Sequence, residues 1–178
     1  MKGDNGSGKS TYIKLIVNLL RPKKGSILIN GTDIGRISKR SLHNSILYIS
    51  QDEVLLNDSV KTYLESITGK TLSEEQLNAL LEEVKFETDI TEIRDGGLSL
   101  SGGQRKKLMM IKLLLGWQSS SVIILDEFEN ALDSDTRALA SEIENLICEH
   151  REDHILFRIS HLDDMRQLAN IHISLGKN

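Results

Sequence analysis

The apolar positions of this chain switch between a helical period and the short β-branched runs of strands, and the switches order its elements. After the opening glycines, "KSTYIKLIVNLL" places Ile13, Ile16, Val17 and Leu20 on one helical face, and Pro22 stops the helix. "GSILIN" predicts a short strand closing on the turn pair Asn30-Gly31. "SILYIS" (Ser45 to Ser50) predicts another, with a polar segment holding a helical turn between them. From Gln51 the character changes. "SVKTYLESI" and "SEEQLNALLEEVKF" are helical, the second with Ser73 and Gln76 at capping-box spacing, so the middle of the chain predicts a helical lobe. "GGLSLSGGQ" interrupts it, and "QRKKLMMIKLLLGW" continues as a helix with its apolar residues grouped on one side. "SVIILDE" fits a buried parallel strand. "DSDTRALASEIENLICEH" is a helix capped by Asp133 or Ser134. "HILFRIS", a short helix from Leu162 to Leu168, and "IHISL" complete the alternation. The pattern predicts an α/β domain, a mostly parallel sheet flanked by helices, with no repeat, low-complexity tract or linker.

Three short stretches carry chemistry. "GDNGSGKS" fits G-x-x-x-x-G-K-[ST] through Gly3, Gly8, Lys9 and Ser10. Glycines let backbone N–H groups point inward, and the following helix N-terminus adds partial positive charge, so the loop suits a phosphate chain. Lys9 would reach the β- and γ-phosphates and Ser10 would ligate Mg²⁺; the bland alternative is a glycine turn before an ordinary helix. "VIILDE" carries Asp126 to the sheet's C-terminal edge, where it can hold Mg²⁺ through the ion's water shell, and sets Glu127 to polarise an attacking water. Acidic pairs after strands also arise simply as helix-leading polar residues. "LSGGQ" (Leu100 to Gln104) is a second glycine-rich turn opening a helix, with Ser101 able to cap and donate, hence a second anion site. Two phosphate sites on different lobes suggest a nucleotide clamped between two chains.

In this order, GDNGSGKST, LSGGQ and VIILDE resemble the nucleotide-binding domain of an ATP-binding cassette (ABC) protein, and the resemblance runs over essentially the whole chain. It implies a P-loop NTPase with a RecA-like catalytic core over residues 1–51 and 105–178 and a small helical subdomain with the signature turn over 52–104. It implies ATP and Mg²⁺ as cofactors. Gly3, Asp4, Asn5, Gly6, Ser7, Gly8, Lys9, Ser10 and Thr11 would hold the ATP phosphates, and Ser101, Gly102, Gly103 and Gln104 the ATP of a partner chain. Ser10, Gln51 and Asp126 would face Mg²⁺, and Lys9, Glu127 and His161 would be catalytic. Gln51 matches the glutamine that joins the two lobes, although a glutamine ending a strand is often just solvated. "NALD" (Asn130 to Asp133) resembles the loop that crosses the dimer interface, and Asp133 could equally be a plain helix cap. His161 in "ISHL" matches the histidine that contacts the γ-phosphate and holds the water with Glu127; lone histidines after strands are more often structural. "TEIRDGG" (Thr91 to Gly97) is similar to a short acidic segment of ABC exporters, with Asp95 for the usual glutamate and Arg94 for a common glycine; the alternative is a polar loop.

The family resemblance implies as partners a second nucleotide-binding domain and the transmembrane domain of an exporter. It places the chain in the cytoplasm, at the inner face of the membrane. The alternatives are a truncated, non-catalytic nucleotide-binding fragment, and a soluble ABC ATPase acting on DNA or the ribosome. The latter usually carries long coiled-coil insertions or paired cassettes. Departures from the family pattern are expected to matter. Only Met1 and Lys2 stand before the loop, where the family has strands and an adenine-stacking aromatic residue, and the pattern is short at the other end. Tyr12 reads as packing rather than as that platform. Phe128 stands where proline is common, and Arg105, Lys106 and Lys107 read as a solvated helix face.

Composition narrows the partners. The chain has 178 residues, 22 basic and 26 acidic, for a formal charge of −4, so no global attraction to nucleic acid or an anionic membrane exists and phosphate recognition must be local. Cys148 cannot form an internal disulfide, reads as a small buried apolar group, and fits the reducing cytosol. Trp117 reads as a packing anchor, and His43, His150, His154 and His172 show no metal-ligand spacing. No apolar run approaches the ~20 residues a membrane span needs, and no signal peptide is expected.

Overall fold

Three parallel strands organise the chain. The computed structural model describes residue 1 and residues 7–50, 53–87, 89–128, 132–150, 152–159, 171 and 173. In it β3 (Ile46–Ile49), β6 (Val122–Asp126) and β7 (Ile155–Ile159) lie in the order β3-β6-β7, with Val122 opposite Ile46 on one side and Ile155 on the other. Alternate residues face opposite ways. Leu47, Ile49, Ile123 and Leu125 join one core with Leu108, Met110 and Leu113, while Ile124 and Ile159 join another with Ile13 and Val17. Both faces of the sheet are therefore covered, which is why "VIIL" is an unbroken apolar run. The expected α/β architecture, a parallel sheet flanked by helices, is present.

The remaining elements are α1 (Lys9–Ile16), β1 (Leu28–Ile29), β2 (Thr32–Asp33), α2 (Lys39–Ser45), β4 (Asp58–Ser59), α3 (Val60–Thr68), α4 (Glu74–Glu83), β5 (Glu92–Ile93), α5 (Gly102–Gly116) and α6 (Ser134–Glu149). Asn30 and Gly31, both at positive φ, turn β1 into β2 as expected of a two-residue hairpin. The capping box at Ser73 and Gln76 is formed, with Gln76 N–H donating to Ser73 Oγ at 3.1 Å and Ser73 N–H to Gln76 Oε1 at 2.9 Å. Asp133, not Ser134, caps α6.

Three expectations need correction. The first helix ends at Ile16, well before Pro22. Asn18 takes φ +57°, and Leu19 and Leu20 N–H both return to the Lys14 carbonyl, so the αL asparagine is the stop. α5 is not apolar on one side only: Leu108, Met109, Met110 and Ile111 are buried in succession, because sheet, α3 and α6 surround its middle. The basic triplet is no solvated face either. Lys107 donates to the Lys85 carbonyl at 2.6 Å, and Lys106 Nζ lies 6.0 Å from the centroid of the Phe128 ring. The pairing of β4 with β5, Asp58 opposite Ile93, was unforeseen, and it fastens the start of α3 to the segment before α5. The helix expected over 162–168 lies outside the described residues, as does all of "IHISL" except Ile171 and Ile173.

Trp117 anchors as expected, its ring 6.3 Å from that of His150 and 5.7 Å from that of His154. Tyr12 packs against the Ile13 cluster. Cys148 is half-buried, with burial, then the Glu144 carboxylate, pushing its thiol pKa up, which disfavours a reactive thiolate. Glycine is needed at Gly97. Its φ is +90°, and a Cβ there would stand 2.9 Å from Leu55 Cδ1 and 3.2 Å from Leu55 Cβ, with Leu55 itself buried. Gly97→Ala is expected to lower unfolding stability by about 1–3 kcal/mol, from the αL backbone and the collision together; a denaturant midpoint equal to the parent's would refute this.

Candidate functional site

Strand parity assembles the site. Asp126 is the last residue of β6 and has the parity of Ile124, so it stands on the sheet face that α1 covers through Ile13. Asp126 is buried at 8% exposure and Lys9, the first residue of α1, at 7%; buried charges of this kind call for partners or ligands. Tyr48, opposite Ile124 and two residues on from Ile46 on the same face, donates its hydroxyl to Asp126 Oδ2 at 3.1 Å. Burial, joined by the Asp126 and Glu53 charges, outweighs a bond to Ser50 and raises the Tyr48 pKa, so the phenol stays a donor.

Beyond the strand, Glu127 N–H donates to the Ile159 carbonyl at 3.0 Å, so the β6–β7 ladder holds the backbone one residue past Asp126. Glu127 takes φ +50°, a left-handed backbone unusual for a non-glycine residue, and Phe128 follows fully buried. The chain thus turns sharply at Glu127 while its next side chain is locked into the core.

The two glycine turns differ in how their helices begin. α1 starts on Gly8 at φ +93° with no side-chain cap, whereas α2 to α6 each start on a serine or aspartate that accepts a backbone N–H. Ser7 Oγ, just before, is buried with no hydrogen-bond partner among the described residues. An uncapped first turn and an orphaned hydroxyl leave donors for an anion. Ser10 and Thr11 are exposed on the first turn of α1. At α5 the Ser101 and Gln104 side chains close a capping box, with Gln104 N–H to Ser101 Oγ at 3.2 Å and Ser101 N–H to Gln104 Oε1 at 2.7 Å. Ser101 keeps its hydroxyl proton to give. Gly102 and Gly103 are exposed, and a Cβ on either would meet nothing closer than 3.9 Å, so nothing within the chain requires glycine there.

Lys9 and Asp126 are brought to one sheet face, with Glu127 next to Asp126, and Ser101 to Gln104 form a separate exposed turn. Gly3, Asp4, Asn5, Gly6, Gln51, Asn130 and His161 lie outside the described residues. Sequence reasoning missed Tyr48 and a buried pair, Lys112 with Glu53 at 2.6 Å. The parity of Tyr48 with Asp126 could have signalled the first only once the register was known. Among the described residues no group of three or more His, Cys, Asp or Glu could hold a metal, and no helix is long and apolar enough to cross a membrane.

A family model described as ABC transporter matches residues 1–130. The chain is 32% identical to an ATP-dependent lipid A-core flippase of Cupriavidus pinatubonensis over 181 aligned residues, covering 94% of this chain and 30% of the flippase. It is 34% identical to the beta-(1-->2)glucan export ATP-binding/permease protein NdvA of Agrobacterium fabrum over 143 residues, covering 76% of this chain and 24% of NdvA. The chain therefore spans less than a third of the length of these relatives.

The cap at Asp133 gives a stability test. Thr136 N–H donates to its Oδ1 at 2.8 Å, and the hydrogen bonds to Thr136 lower the Asp133 pKa. A depressed folded-state pKa makes the contribution fully present above the unfolded value near 3.9 and lost as pH falls through the lower folded value. Asp133→Ala should cost about 1 kcal/mol at pH 7. In melts recorded from pH 7 to pH 2 the gap between parent and variant should narrow only in the acid range; a gap independent of pH would exclude an ionised cap.

Proposed function

The chain belongs to the ABC transporter family, and from that premise we propose that it binds and hydrolyses Mg-ATP as the ATP-binding domain of an exporter-like transporter, coupled to a membrane component. Supporting the exporter assignment are its resemblance to exporters and "TEIRDGG". The carrying observation is the placement of buried Lys9 and buried Asp126 on one face, beside a helix start that no side chain caps. A second copy, or a related domain, would present its Ser101–Gln104 turn to close the nucleotide, with the cytoplasmic face of a membrane as the place of work. We assign residues 1–51 and 105–178 to the catalytic core and 52–104 to the helical subdomain.

The residues present suit Mg²⁺. Asp126 and Ser10 offer hard oxygen donors, and the Tyr48 hydroxyl holds Asp126 through Oδ2. When bound, Mg²⁺ neutralises charge on the β- and γ-phosphates. Gly3 to Thr11 would wrap the phosphate chain, with Lys9 countering charge on the β- and γ-oxygens and the Ser7 hydroxyl donating to the same anion. Glu127 would accept a proton from water as the water oxygen bonds to the γ-phosphorus and the bridging bond to ADP breaks. Gln51 would report the ion's presence to the helical lobe, and His161 would contact the γ-phosphate and hold the water with Glu127.

Two measurements test this reading. Glu127→Gln should still raise its melting temperature with Mg-ATP, by the equivalent of about 2.7 kcal/mol at a hundredfold excess over Kd, while turnover falls about 10²–10⁴-fold; undiminished hydrolysis would remove Glu127 from the mechanism. Gly103→Ala should leave stability unchanged or raise it by up to about 1 kcal/mol. Its Cβ would nonetheless push the nucleotide of the partner chain aside, and a displacement of ~1 Å can cost about 10²-fold in rate. Parent-like hydrolysis by this variant would mean that the signature turn does not close on the nucleotide.

A further inference from the structure

One buried ammonium joins three elements that the proposed mechanism treats separately. Lys112 stands in the third turn of α5, about 15 Å along the axis from the Ser101 turn. Its Nζ donates to the Tyr48 carbonyl at 2.8 Å and to Glu53 Oε1 at 2.6 Å. Glu53 Oε1 accepts in addition from the Tyr63 hydroxyl of α3 at 3.5 Å, a long contact. Tyr48 is the residue whose hydroxyl holds Asp126. A single side chain therefore holds both Tyr48 and Glu53 and ties them to the helix that opens at the signature turn.

Stability alone is a poor reason for this pair. Lys112 is 12% exposed and Glu53 17%, so both ions lose most of their hydration, and hydrophobic residues of equal volume often serve a core as well or better. Glu53 Oε2 is moreover buried with no hydrogen-bond partner among the described residues, a cost that a purely structural pair has no reason to carry. Burial, then the charge of Glu53, pushes the Tyr63 pKa well above the ordinary phenol range, so this hydroxyl too remains a donor. What the arrangement does secure is geometry. The Tyr48 carbonyl, the Glu53 carboxylate and α5 cannot shift relative to one another without breaking a charge-assisted bond.

We propose that Lys112 is a positioning residue for ATP hydrolysis, a clamp that sets Tyr48 and Glu53 against α5 and so couples the Asp126 side of the site to the signature helix. The inference rests on the ATPase reading above. Lys112 touches no reacting atom and acts through Tyr48 and Glu53.

The test uses the full chain with Lys112→Met, Lys112→Arg and Glu53→Gln, each checked for a cooperative melt. Hydrogen–deuterium exchange reports the clamp without any turnover: the Leu55 amide, two residues past Glu53 and bonded to the Gly96 carbonyl, should exchange at least about tenfold faster in Lys112→Met and Glu53→Gln, and close to the parent rate in Lys112→Arg. Steady-state hydrolysis should show kcat reduced about tenfold with KM for ATP within about twofold, and partial rescue in Lys112→Arg. The Lys112→Met, Glu53→Gln double variant should be no worse than Lys112→Met alone. Should Lys112→Met fail to fold, the isosteric Glu53→Gln gives the same readouts. Unchanged exchange in a folded variant overturns the clamp, and faster exchange with parent-like kcat overturns its role in hydrolysis. If the parent chain hydrolyses no ATP yet exchange accelerates as expected, the clamp stands and the ATPase reading falls.

Discussion

The pairing of β6 on both flanks is the constraint from which the rest follows. Val122 to Asp126 are held in register by β3 and by β7, and the Glu127 N–H extends the second ladder one residue further. A strand fixed on two sides has no freedom to rotate, so parity alone decides that Ile123 and Leu125 face α5 while Ile124 and Asp126 face α1. The carboxylate proposed for catalysis and the carboxylate proposed for the metal are then neighbours in sequence with different surroundings. Asp126 is buried under a tyrosine, and Glu127 is half-buried on a left-handed turn. A left-handed non-glycine residue costs roughly 1–3 kcal/mol, and the structure sustains it because Phe128 is anchored in the core immediately afterwards.

Much of this was legible in the letters, for physical reasons that differ by element. "VIILDE" announced a strand buried on both faces because such strands show no alternation, and the capping boxes at Ser73 and Ser101 announced helix starts because both halves of each box are local. What depended on distant parts of the chain was not legible. The α5 pattern looked one-sided, yet its middle is surrounded, a fact that belongs to the sheet and to α3 and α6 as much as to α5. The left-handed stop at Asn18 competed with a conspicuous Pro22, and the nearer, weaker signal won. Tyr48 gave no motif at all. Its bond to Asp126 spans 78 residues and exists only because the strands register as they do. Lys106 and Lys107 looked like ordinary solvated lysines and Lys112 carried no signal, although a long aliphatic stem can pass through a packed region and deliver its charge to a carbonyl, a ring or a carboxylate.

The glycines separate fold from chemistry in a way that their shared abundance in loops conceals. At Gly97 and Gly116 a Cβ would meet Leu55 or Leu47 at 2.9 Å, so these two are required by the packing of the chain against itself. At Gly102 and Gly103 the surrounding space is open, the backbone is ordinary helix, and glycine is the poorer choice there by intrinsic propensity. A residue that weakens its own helix and touches nothing is accounted for only by something outside the chain that must come close to the backbone. The same reasoning applies to α1, where Gly8 forgoes the side-chain cap that begins every other α-helix among the described residues. At α1 local stability is given up where a phosphate group could supply the missing partner, whereas the α5 turn is capped by Ser101 and Gln104 and forgoes only better helix formers at Gly102 and Gly103. α5 opens on the Ser101–Gln104 capping box, and its third turn carries Lys112 to the Tyr48 carbonyl of β3. The two features share one helix, and the Lys112 bonds to the Tyr48 carbonyl and to Glu53 fix where that helix stands against the sheet.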